Sequence, residues 1–462
     1  MSKYFFNAAA LYSLFVIYGS LVPLDFRDIP LNDALNQFKN IRYLNLGMGS
    51  RADWVANILL YIPLAYLWSA AFCSIRYPLF RIISSLIVLF FCLFVAIAIE
   101  LSQLFFPPRT VSINDLVAEA IGTFIGILLF QVYGQYFIKL YKQLSLGSFL
   151  AIKAAITFYI LIYLVFSIFP FDFITTFSEL EMKLTNVSDH FFMPPDLDRE
   201  DITRWIVKLL VEMLVLVPLG LLFCLLPYVS HKLLLTILIG FLFGVFIEVA
   251  QLFIVSGVVQ GISVLTRILG MGLGAVLFVW ASKQNFNNWT KRLQPIVLWS
   301  ILPYTVLVLT MNGWMGGNWL TGEQALEKLK GTHFLPLYYF YYTSEAAALV
   351  SLLSNIGTYL PIGLMYWTLS LSRPGIKKMH WAYVGLSAAC FAFIIETGKL
   401  FLADKHVDPT DILIAFAAAA GTYIFMNRVM QWVKQEKVVG LTPIKKKHVV
   451  RHRNNSFLSR FP

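Results

Sequence analysis

The chain has 462 residues, of which 58% are hydrophobic and 13% charged, with a formal net charge of +11. A soluble chain is about 45–50% apolar and about 25% charged, so this composition excludes a water-soluble enzyme and a disordered scaffold. The excess positive charge is distributed loop by loop, which points to membrane topology and away from nucleic acid.

Apolar runs of about 18–25 residues predict bilayer-spanning helices. Twelve are read, at 4–22, 52–72, 79–101, 111–134, 149–169, 204–226, 231–254, 258–281, 293–311, 344–370, 381–402 and 409–431. The predicted fold is an all-α polytopic bundle. The first run has the length of a signal peptide but no small-residue cleavage site, so it is read as a retained span.

Two kinds of connection alternate. The segments near 73–81, 135–148, 227–232, 282–292 and 371–380 carry Arg76, Arg81, Lys139, Lys142, Lys232, Lys283, Lys291, Arg292, Arg373, Lys377 and Lys378 without an acid. Loops 23–51, 170–203 and 312–343 hold most of the acids, among them Glu179, Glu181, Asp189, Asp196, Asp198, Glu200 and Asp201. The positive-inside rule then predicts acidic loops outside and both termini in the cytoplasm. The basic tail, with Lys445, Lys446, Lys447, Arg451 and Arg453, is read as an anchor against anionic lipid. Cys73, Cys92, Cys224 and Cys390 all lie in apolar stretches and are read as small fillers. The seven histidines form no cluster, so neither a metal nor another cofactor is expected.

Glu100, Glu248 and Glu396 recur 148 residues apart near span ends. Three residues after each come Gln103, Gln251 and Lys399, and fifteen after each come Asp115, Ser263 and Asp411. A mid-span proline recurs at Pro63, Pro218 and Pro361, preceded six residues earlier by Asn57, Glu212 and Asn355. The phrases Pro23-Leu24-Asp25-Phe26 and Pro170-Phe171-Asp172-Phe173 match at the ends of spans one and five. These recurrences predict three four-helix units, 1–147, 148–292 and 293–440, followed by the tail 441–462. Gly122 and Gly126 match Gly270 and Gly274, and glycine at i and i+4 predicts close helix packing.

The first unit holds the fullest polar set: Asp53, Asn57, Pro63, Glu100, Gln103, Arg109, Asn114, Asp115 and Gly122. This order resembles the VanZ-like family of bacterial membrane proteins. The second unit departs from it, with Gly257 and Ser263 in place of the Arg and Asp, while the third keeps Asn355, Glu396 and Asp411 with Lys399 and Lys405 as replacements. The resemblance implies a bacterial cell-envelope protein, some members being associated with resistance to teicoplanin-type glycopeptides, with no settled chemistry.

The residues also have a physical reading. Glu100 and Gln103 share one helix face, as do Asp53 and Asn57. An ionisable group in hydrocarbon costs about 2.5–3.5 kcal/mol on insertion scales, so these side chains should face the bundle or water and pair. Arg109 is the expected partner of Glu100 or Asp115, and Pro63 should free a carbonyl near Leu59 for an outside donor. The set either ties helices together or lines an outward-facing pocket for the headgroup of a membrane lipid or lipid-linked envelope precursor. The candidate ligand-binding residues are Asp53, Asn57, Glu100, Gln103, Arg109 and Asp115, with Asn355, Glu396, Lys399 and Asp411 second. Glu100 and Asp115 as an acid–base pair would make a membrane-embedded transferase or hydrolase acting on a lipid carrier, but no nucleophile accompanies them. Twelve spans with internal repeats also suit a secondary transporter, which would place its charges at the midplane of a through-going path. Two pairings remain open for Glu119 and Arg267, which hold equivalent repeat positions: with each other across two units, or Arg267 with Glu248 locally.

Overall fold

Long apolar runs leave a chain in lipid one way to satisfy its backbone, as helix, and helix dominates the computed structural model. It describes residues 2–43, 48–72, 78–107, 109–146, 149–190, 199–226, 232–282, 286–372 and 380–441. Cys73, Arg76, Lys283, Asp196, Asp198, Arg373, Lys377, Lys378 and the basic tail fall outside them.

The described residues form sixteen helices. The first quartet of long ones is α1 (Ser2–Leu21), α3 (Met48–Phe72), α4 (Pro78–Gln103) and α5 (Ile113–Leu146), with the short α2 (Leu31–Lys39) between the first two. The second quartet is α6 (Phe149–Ile168), α8 (Arg199–Cys224), α9 (Lys232–Leu252) and α10 (Gly261–Ser282), with α7 (Phe177–His190) after α6. The third is α11 (Phe286–Met311), α14 (Glu345–Ser372), α15 (Trp381–Lys399) and α16 (Thr410–Leu441), with α12 (Gly322–Lys330) and α13 (Tyr338–Tyr341) between α11 and α14. The twelve quartet helices are long and apolar enough to cross a membrane. The molecule is an all-α polytopic bundle.

Two differences from expectation have local causes. Residues 135–146, expected to be a connection, continue α5, because no Gly or Pro interrupts them before Gly147. The acidic loops carry short amphipathic helices of their own; α12 is started by a Thr321–Gln324 capping box.

Glycine decides the tightest packing. A Cβ on Gly122 or Gly126 would lie 2.3 or 2.4 Å from the Ile58 or Ile62 carbonyl of α3, and on Gly270 or Gly274 2.2 Å from the Met213 or Val217 carbonyl of α8. Only hydrogen fits in that space, so α5 and α10 cross their neighbours almost backbone to backbone. In the third quartet the glycine is on the other partner: Gly363 of α14 faces the Ala419 carbonyl of α16.

Three of the five prolines inside described helices, Pro63, Pro218 and Pro361, find a common answer. Pro63 supplies no N–H and opens the preceding turn, and the Tyr12 hydroxyl donates to the Leu60 carbonyl at 3.1 Å. Tyr159 donates to the Val215 carbonyl before Pro218, and Tyr304 to the Thr358 carbonyl at 2.6 Å before Pro361. The acceptor is thus one residue later than Leu59, and the donor comes from the first helix of each quartet. The chain leaves that helix alike in the first two quartets, where Val22–Pro23 and Phe169–Pro170 are cis and Leu24 and Phe171 have φ of 64° and 67°. Arg27, Ile174 and Leu320 then donate backbone N–H groups to the carbonyls of Phe105, Phe253 and Phe401.

Candidate functional site

The C-terminal ends of α1 and α4 and the N-terminal ends of α3 and α5 meet around a cavity of about 630 Å³. All six side chains singled out in the first quartet line it: Asp53, Asn57, Glu100, Gln103, Arg109 and Asp115. The walls also hold Trp54, Ser112, Glu119 and Tyr341. It therefore opens at the end of the bundle that carries the acidic loops, and reaches inward along α5 to Glu119, less than two turns from the start of that helix.

Helix ends explain part of the arrangement. Ser112 caps α5, accepting from the Asp115 amide and donating to Asp115 Oδ2 at 2.6 Å. Asn57 Nδ2 donates to Asp115 Oδ1 at 2.7 Å, which fastens α3 to α5. Gln103 Nε2 donates to the Ser20 carbonyl at 2.9 Å, and Trp54 to the Asn114 carbonyl at 3.0 Å.

Arg109 does not make the ion pair expected of it. Its Nε and Nη2 donate to the carbonyls of Val22 and Gly19, both at 2.6 Å, and its guanidinium lies 4.3 Å from the centre of the Tyr341 ring. The last turn of α1 presents carbonyls with no intrahelical donor, and these claim the guanidinium ahead of Glu100 or Asp115. Desolvation against that helix end and the ring lowers the Arg109 pKa from its ordinary value, which Tyr341, Asp53 and Glu100 oppose. The group is a cation seated on a helix end and lining the cavity.

The carboxylates behind it are left differently. Glu100 is 2% exposed and Glu119 3% exposed. Glu100 Oε2, Gln103 Oε1 and Glu119 Oε2 are buried without a hydrogen-bond partner. Glu119, set against Tyr61 of α3, is neither wet nor joined to Arg267.

Arg267 pairs locally. Its Nη1 lies 2.5 Å from Glu248 Oε1 and its Nη2 3.9 Å from Glu212 Oε1, with Nε donating to the Tyr163 hydroxyl at 3.2 Å. Both acids belong to its own quartet, within side-chain reach. The Gln260 amide donates to Glu248 Oε2 at 2.6 Å. In the third quartet Lys399 Nζ lies 2.6 Å from Glu396 Oε1 and 3.4 Å from Asp411 Oδ2. Asn355 Nδ2 donates to Asp411 at 2.5 Å, and the Asp408 amide to Glu396 Oε2 at 2.9 Å. The four residues named second in the sequence, Asn355, Glu396, Lys399 and Asp411, thus form one closed network, and Lys405 packs its stem over Gly313.

A further layer escaped the sequence reading. Lys328 of α12 donates to the carbonyls of Lys399, Leu402 and Lys405 around the end of α15. Lys183 of α7 does the same at Ile254 and Val255 past α9. Asn36 of α2 stands in that register in the first quartet, at the offsets that relate Tyr12, Tyr159 and Tyr304. It lines an open groove of about 750 Å³ that adjoins the cavity at Arg109. The spacings of 147 and 145 residues that separate Tyr12, Tyr159 and Tyr304 were the available signal for these lysines. The seating of Tyr341 had none: a loop of the third quartet crosses to the first, where Tyr18 donates to the Pro336 carbonyl at 2.6 Å.

A family model described as VanZ/LLP1 matches residues 4–134 and 155–282, more than half of the chain. The first stretch contains every cavity-lining residue but Tyr341, and the second most of the second quartet. No curated protein and no solved structure matches the chain.

Proposed function

The chain belongs to the VanZ/LLP1 family, and from that premise we propose that it binds the headgroup of a lipid-linked cell-envelope component in the first-quartet cavity. The observation that carries this reading is the convergence of Asp53, Asn57, Glu100, Gln103, Arg109 and Asp115 on one cavity at one end of the bundle. A pocket of about 300–1,000 Å³ is the usual size of a small-molecule site. Its one-sided depth supports binding from one leaflet over transport, which needs charges at the midplane. The reading places the protein in a bacterial cytoplasmic membrane with both termini inside and the cavity outward, following the loop charges. A role in glycopeptide resistance then amounts to occupying or shielding an envelope precursor.

We also read the chain as three four-helix units, 1–147, 148–292 and 293–440. The tyrosine–proline contacts of all three, and the backbone amides of Ser112, Gln260 and Asp408 on Glu100, Glu248 and Glu396, support it.

The test is lipid identification by mass spectrometry after extraction in native nanodiscs. One lipid class should be enriched over the bulk membrane with the unaltered chain and lost with Glu100→Gln and Arg109→Ala. An identical lipid profile for all three would overturn the reading.

A further inference from the structure

Three positions in repeat register carry a cation in one or both of the later quartets and none in the first. Gln103 stands where the third quartet has Lys399, Glu119 where the second has Arg267, and Asn36 where both have lysine. Those built-in cations satisfy the buried acids: Arg267 on Glu248, and Lys399 on Glu396 and Asp411. In the first quartet the corresponding acids, Glu100 and Asp115, face the cavity together with Glu119.

A buried carboxylate is costly unless a charge and hydrogen bonds compensate it. The unsatisfied atoms Glu100 Oε2, Gln103 Oε1 and Glu119 Oε2 are all acceptors, and only an N–H or O–H donor answers them. Among the described residues, no three acidic, histidine or cysteine side chains converge closely enough to hold a metal ion. A primary ammonium brings three N–H donors and one positive charge, which is what Lys399 Nζ brings to Glu396 and Asp411. A quaternary ammonium brings the charge without donors. At the mouth Arg109 offers a positive charge, lining both the cavity and the outer groove, where Asp28 and Asp33 stand against Arg27 and that guanidinium.

We propose that the first-quartet cavity recognises the primary ammonium of an amine-bearing headgroup, seated by Glu100 and Asp115 as Lys399 is seated by Glu396 and Asp411, with the headgroup's anionic part at Arg109. The proposal rests on the headgroup reading above and names the chemistry that this site selects.

The experiment uses the full chain in detergent, titrated with short-chain phosphatidylethanolamine, phosphatidylcholine and phosphatidylglycerol and followed by native mass spectrometry. Phosphatidylethanolamine should be retained at least about tenfold more tightly than the other two, as expected when charge-assisted hydrogen bonds are made or lost. Gln103→Lys supplies the internal ammonium and should abolish that retention while raising the melting temperature. Glu100→Gln, nearly identical in size, should erase the preference even if the lysine variant does not fold. Competition by free ethanolamine supports recognition of the amine alone; retention without competition supports the same amine read on a lipid. Equal retention of phosphatidylethanolamine and phosphatidylglycerol, both lost in Arg109→Ala, would overturn the ammonium proposal and leave the headgroup site standing. Retention of none of the three above the Gln103→Lys background would overturn both.

Discussion

In the third quartet Glu396 and Asp411 share the ammonium of Lys399, and Lys328 covers the end of α15 beside them. In the first quartet Glu100 and Asp115 hold the corresponding positions, with Gln103 and Asn36 in place of the lysines and a cavity of about 630 Å³ beside the acids. Both quartets tie their second and fourth helices with the same Asn–Asp bond, Asn355 to Asp411 and Asn57 to Asp115. The helix-tying role therefore needs the Asn and the Asp, and it does not require glutamates with an unpartnered buried oxygen. A buried acid with its own cation is architecture; a buried acid facing a cavity without one is a cost that packing alone does not explain.

The largest effects should come from breaking the compensated pairs. Arg267→Met or Lys399→Met strands buried carboxylates and should cost about 3–5 kcal/mol, read as a lowered melting temperature in detergent. Glu119→Gln removes a carboxylate that has no such partner and should leave stability unchanged or raised. Equal losses from all three would dissolve the contrast between the quartets. Arg267→Glu should be restored by Glu248→Arg and left unrestored by Glu119→Arg, as the local geometry requires.

Packing gives the next contrast. A methyl on Gly270 would meet the Met213 carbonyl at 2.2 Å, whereas Gly421 has nothing within 4 Å of its would-be Cβ. Gly270→Ala should cost about 1–3 kcal/mol through overpacking. Gly421→Ala should gain up to about 1 kcal/mol from helix propensity. Thermal unfolding of the two variants side by side checks the opposite signs.

The twelve spans were legible because hydrocarbon thickness imposes a length that no soluble helix needs. The six cavity-lining side chains were legible as a group because charged and polar groups inside an apolar run are expensive and therefore conspicuous. What they touch was not. Arg109 was expected on a carboxylate, yet the carbonyls ending α1 lie nearer, a competition that depends on how the chain turns after Pro23. Tyr341 and Lys328 act across 232 and 71 residues of chain, on Arg109 and on the Lys399 carbonyl respectively. No local periodicity encodes contacts of that range. Glu119 was visible as a charge, but its place on the cavity wall depends on the glycine-driven approach of α5 to α3.

Smaller effects sharpen the three-unit reading. Tyr12→Phe, Tyr159→Phe and Tyr304→Phe each remove one hydroxyl donor from a carbonyl beside a proline. Each should cost about 0.5–1.5 kcal/mol, the usual net worth of such a bond. Similar melting shifts for all three support equivalent units. A shift confined to one would mean that the tyrosines serve unrelated local needs.

The smallest effect concerns how the first quartet meets the loop of the second. Arg51 at the start of α3 donates to both Glu179 oxygens, at 3.1 and 3.2 Å, and to the Phe173 carbonyl at 3.3 Å. Hydrogen bonds from Arg51, and then from the Thr175 amide, hold the Glu179 carboxyl down to about 2, against an ordinary value of 4.5. Its folded-state pKa is depressed, so the tie contributes fully above about pH 4.5 and is lost as pH falls through about 2. The pair lies near solvent and salt screens it, so the melting difference between the unaltered chain and Glu179→Gln should be small at pH 7 and smaller still in high salt. That difference should persist to pH 5 and shrink steadily from pH 4 towards pH 2.5, as Glu179 protonates in the unfolded chain and then in the folded one. A difference independent of pH over that range would mean that Glu179 acts through the packing of α7 and not through its charge.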